Sequence, residues 1–93
     1  MVEMAVEGFD DTLYELRYHI RQTMQAVQLQ FDIMHEAIEK CGDITHEIGY
    51  IGCVEASDTA YREVLKFQEL TNKLAEQVKE LNSYVKEMLH KRN

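Results

Sequence analysis

Cys41-Gly42-Asp43-Ile44-Thr45-His46-Glu47-Ile48-Gly49-Tyr50-Ile51-Gly52-Cys53 holds three of the chain's four glycines, and its reading decides between one long helix and a helical hairpin. Gly42 suits the position just after a helix end, and Asp43 can open a short helical turn. Gly49 and Gly52 then loosen the chain before Ser57 and Asp58, which can cap a second helix. The competing reading is continuous: Gly42, Thr45, Gly49, Gly52 and Ala56 also recur at three and four and would give an unbroken helix a small-residue face. Each mid-helix glycine costs about 1 kcal/mol relative to alanine, so the reversal is favoured. It predicts a helix over about 11–41, a turn over about 42–56 and a helix over about 57–91, all within a single domain spanning 1–93.

Working back from the turn, apolar residues recur at Val2, Val6, Phe9, Leu13, Leu16, Ile20, Met24, Val27, Phe31, Met34 and Ile38, which marks one helical face. The step of four is doubled across Leu16, Ile20 and Met24, predicting a local phase shift at Ile20. Asp10, Asp11 and Thr12 supply N-cap and first-turn chemistry, with Glu15 three residues beyond Thr12 in capping-box spacing. Working forward, Ala60, Val64, Phe67, Thr71, Leu74, Val78, Leu81, Val85 and Met88 alternate strictly by four and three. Leu70 and Tyr84 widen that stripe beyond a two-helix seam. His90, Lys91 and Arg92 close it with positive charge where the helix dipole favours it.

The absence of proline from all 93 residues agrees with long helices, and nothing alternates as a strand would. A two-helix hairpin sharing one seam leaves Tyr14, Ile33, Leu70 and Tyr84 half exposed. The expected fold is therefore an all-α antiparallel two-helix hairpin that dimerises into a four-helix bundle. Its packing and interface residues are Leu13, Ile20, Val27, Phe31, Met34, Ile38, Val64, Phe67, Leu74, Val78, Leu81, Val85 and Met88.

Charge narrows the partners. The formal net charge is −7, which disfavours nucleic acid and anionic membrane surfaces. No stretch is apolar enough to span a membrane, and the acidic amino end lacks the pattern of a cleaved signal. The first half carries most of the negative charge, opposed by Arg17, Arg21 and Lys40 alone.

Candidate chemistry is sparse. Asp32, His35, Glu36 and Glu39 resemble in type the ligands of helical di-iron sites, but Asp32 points away from the apolar line and His35 sits at its boundary, so a solvated helix face is the stronger reading. His19, His46 and His90 are scattered, and the glycines follow no strand as a phosphate-cradling loop would. No enzyme, metal or cofactor is expected. Cys41 and Cys53 flank the turn and can approach one another, although small apolar packing residues are the simpler reading.

A helix, an aromatic-x-Gly turn at Tyr50-Ile51-Gly52 and a second helix whose pattern runs Val64, Phe67, Leu70, Leu74, Val78 and Leu81 resembles the WXG family of small proteins exported by type VII secretion. Tyr50 stands where that family has tryptophan. Tyr84-Val85-Lys86-Glu87-Met88 ends in methionine where its export signal ends in an acid. The resemblance implies a non-enzymatic interaction module, a secretion substrate or adaptor, partnered by a second copy or a related helical protein. A cytosolic coiled-coil adaptor or chaperone-like regulator is the alternative. The expected location is the cytoplasm, with any export independent of a cleaved signal peptide.

Overall fold

A computed structural model describes residues 9–42 and 49–92. Among the described residues there are two α-helices and no strand: α1, Phe9–Gly42, of 34 residues, and α2, Gly49–Arg92, of 44 residues. The chain is an all-α helical hairpin. None of its described helices is long and apolar enough to cross a membrane.

α1, Phe9–Gly42, lies close to the expected 11–41, and the start of the second helix departs from expectation. α2 starts at Gly49, so Tyr50, Gly52, Ser57 and Asp58 stand in helical backbone rather than in a turn and its cap. Asp43 and the rest of 43–48 lie outside the described residues, as does the side chain of Tyr50. Packing explains the early start. Gly52, Cys53 and Ala56 are half-buried while Ser57 and Asp58 are exposed, so the added turns set small side chains on the packed side and their capping residues in water. Tertiary contact of this kind routinely overrides the modest propensity cost of glycine. Inside the helix, the Asp58 carbonyl accepts from Arg62 Nε at 3.4 Å.

Contacts divide the chain into two compact units. One consists of Met1–Met24 with Asn72–Asn93, the other of Gln25–Thr71. Each pairs part of α1 with part of α2. In the first, Ile20 and Thr23 are buried on α1 and Leu74, Gln77, Leu81, Tyr84 and Met88 are half-buried on α2. In the second, Gln30 and Ala37 are buried on α1, with Ala60 and Glu63 on α2, and Phe31 and Phe67 meet with ring centroids 6.1 Å apart.

The packed line along each helix is a strict alternation of three and four. On α1 it runs Leu13, Leu16, Ile20, Thr23, Val27, Gln30, Met34, Ala37, Cys41. On α2 it runs Cys53, Ala56, Ala60, Glu63, Phe67, Leu70, Leu74, Gln77, Leu81, Tyr84, Met88. The expected phase shift at Ile20 is therefore absent, because the line continues through Thr23 and not Met24. On α2 it passes through Glu63, Leu70, Gln77 and Tyr84, where Val64, Thr71, Val78 and Val85 were expected. Both choices satisfy heptad spacing. Hydropathy favours the line with larger apolar groups, whereas the helix pair uses the adjacent line, whose Ala37, Ala56 and Ala60 permit close approach and whose glutamine and glutamate bond one another.

Candidate interaction surface

In each unit the residues displaced from the packed line lie beside it, most of them exposed. In the unit of Gln25–Thr71, Phe31 is 47% exposed and Ile38 45%, beside a half-buried Val64. Phe31 leans on His35, whose ring lies 6.2 Å away in a stacked arrangement. In the unit that contains Met1–Met24, Met24, Val78 and Val85 are exposed. There Ala75, Val78, Lys79, Leu81, Asn82 and Val85 line an open groove of about 690 Å³ along α2. On each helix this flank lies one residue past the packed line, a rotation of ~100°, so each helix carries a second apolar strip beside the one that meets the other helix.

The packing residues predicted from sequence thus separate into two sets. Ile20 is buried, and Leu13, Val27, Met34, Phe67, Leu74, Leu81 and Met88 are half-buried along the helix–helix line. Val64 is half-buried on the flank, and Phe31, Ile38, Val78 and Val85 are exposed there. Of the flanking residues, Tyr14 and Ile33 are exposed, while Leu70 and Tyr84 join the packed line.

Polar residues inside the packed line escaped the hydropathy reading. Gln30 Nε2 donates to Glu63 Oε2 at 2.8 Å and to the Glu63 carbonyl at 3.1 Å, and Lys66 Nζ donates to Glu63 Oε1 at 3.0 Å. These hydrogen bonds, Gln30's first and Lys66's next, hold the Glu63 carboxyl below its usual range against the opposing effect of burial. Thr23 is 5% exposed, and the buried Gln77 Oε1 has no hydrogen-bond partner. The signal for such positions is heptad phase: polar residues seven or fourteen apart on one line, as Glu63 and Gln77 are.

The acidic and histidine groups do not converge. Asp32, His35, Glu36 and Glu39 are all exposed on α1. His35 pairs with Glu39 at 3.6 Å and Lys40 with Glu36 at 3.8 Å, both one helical turn apart, a geometry worth a few tenths of a kcal/mol in water. Among the described residues no three His, Cys, Asp or Glu side chains gather as metal ligands would. Compared with known proteins, the chain matches no family model, no curated protein and no solved structure.

Proposed function

We propose that this chain is a non-enzymatic helical interaction module that works as a homodimer, with the exposed flank of each hairpin packed on a second copy. The observation that carries it is the set of exposed apolar side chains one residue past the packed line, Phe31 and Ile38 in one unit and Met24, Val78 and Val85 in the other, with Val64 half-buried beside the first two. Large groups on the α1 flank (Met24, Phe31, Ile38) and smaller β-branched ones on the α2 flank (Val64, Val78, Val85) are complementary in size, as a two-fold contact of α1 on the partner's α2 requires. Four helices around a shared core result. Sedimentation equilibrium tests this: the reading expects twice the chain mass, and a monomer at all accessible concentrations rejects it.

The specific form we propose is a small type VII secretion substrate or adaptor, supported by the resemblance of the second-helix pattern Val64, Phe67, Leu70, Leu74, Val78 and Leu81, with Tyr50-x-Gly52 standing at the start of α2 and not in the turn. Release into the medium by cells whose type VII machinery is active is the expected result, and retention in those cells removes the secreted form. A cytosolic adaptor that docks a partner's helix is favoured by one observation: Met88 stands at the last position of Tyr84-x-x-x-Met88 and lies half-buried in the helix–helix line.

A further inference from the structure

Cys41 and Cys53 belong to the same unit, on opposite helices, and both are free and half-buried. Each sits on the packed line at the same heptad position, Cys41 seven residues after Met34 and Cys53 seven before Ala60. The register across the pair is set by contacts on the same unit. Gln30 bonds Glu63, and nearer the turn Ala37 and Lys40 share a groove with Thr59, so a step toward the turn on α1 matches a step back on α2. Cys41 lies eleven residues beyond Gln30 and Cys53 ten before Glu63. Counted from Gln30 and Glu63 the two differ in height by about one residue, ~1.5 Å along the axis, and counted from the Phe31–Phe67 ring contact by about four, ~6 Å. Ala37, Ala56 and Ala60 line the packed side at this end, and such small residues allow the close helix approach that a disulfide, which spans ~5.5–6 Å between Cα atoms, requires.

We propose that Cys41 and Cys53 are a thiol pair that takes up an intramolecular disulfide by exchange with a small-molecule disulfide such as oxidised glutathione, stapling the turn end of the hairpin. One cysteine thiolate attacks a sulfur of glutathione disulfide and expels a glutathione thiolate. The other attacks the protein sulfur of the mixed disulfide, forms the Cys41–Cys53 bond and expels the second glutathione. The protein gives up two electrons and two protons, and glutathione disulfide receives them.

The test equilibrates the full chain in glutathione redox buffers, folded and in guanidinium, then quenches with acid, alkylates and weighs the products. In the folded protein the expected product is a bridged single chain lighter by two hydrogens. Its effective thiol concentration should be at least a hundredfold above that of the denatured chain, where two thiols on a flexible segment reach only the millimolar range. Bridging should also raise the thermal midpoint by roughly 10–20 °C. Equal effective concentrations in the two states, mixed disulfides alone, or bonds between chains would each overturn the proposal. Cys41→Ser should leave only the mixed disulfide on Cys53. Because the folded and denatured states of the unaltered chain are compared directly, the result stands even if that variant fails to fold.

Discussion

Gln30 and Glu63 meet inside the packed line of one unit, the Gln30 amide donating to both the carboxylate, at 2.8 Å, and the backbone carbonyl, at 3.1 Å, of Glu63. A buried carboxylate that loses a donor keeps its desolvation penalty, whereas removing both partners removes the penalty too. Gln30→Leu should lower the thermal midpoint, and the double variant Gln30→Leu/Glu63→Leu should recover most or all of it. A double variant as unstable as the single one would show that the pair is not coupled.

Acid should weaken the hairpin through the same residue. The folded-state Glu63 carboxyl lies below its usual 4.5, so its contribution is fully present above that value and is lost as pH falls through the lower folded value. Thermal melts between pH 7 and 3 should show the unaltered chain losing its advantage over Glu63→Gln as pH drops below about 4.5. A gap between the two proteins that stays constant over this range would contradict the assignment.

The route of the packed line can be read from truncations. Ile20→Ala removes a buried side chain and should cost about 2–4 kcal/mol. Met24→Ala removes one that is 53% exposed and should cost under ~1 kcal/mol when the two are compared under conditions that keep the chain monomeric. Equal costs in urea titrations would restore the line through Met24.

Gln77 offers the opposite sign. Its Oε1 is buried without a partner, a situation that costs roughly 1–3 kcal/mol. Gln77→Leu should therefore raise the thermal midpoint, by about 4–8 °C for each kcal/mol recovered in a chain of this size. A fall would mean that the amide is satisfied in solution.

Much of this fold is legible in the sequence: both helices follow from the missing proline and the helical spacing of apolar residues, and the hairpin follows from Gly42, Gly49 and Gly52, although 49–56 of the expected turn belongs to α2. The phase of the packed line is not. A heptad with side chains able to pack at two adjacent positions, as at Val64 beside Glu63 or Val78 beside Gln77, supports two lines one residue apart. Hydropathy ranks Val64 and Val78 first, since it weighs each side chain's transfer from water and not the hydrogen bond that Gln30 offers Glu63. The early start of α2 was hidden for a similar reason: a glycine such as Gly52 costs stability in an isolated helix, and only the half-buried Cys53 and Ala56 beside it show what offsets that cost. Of the side chains that hydropathy selected, Phe31, Ile38, Val78 and Val85 face outward, and the interaction reading rests on them.

The most direct test of that reading is the solution mass of the chain and of Val78→Asp, measured side by side with helical content checked by circular dichroism. The account predicts twice 10.9 kDa for the unaltered chain. For the variant it predicts a dimer weakened roughly tenfold or more, with helix retained, since a charge placed in an apolar contact loses affinity without touching the packed line. A chain that stays at 10.9 kDa throughout, or a dimer indifferent to aspartate at position 78, would contradict it.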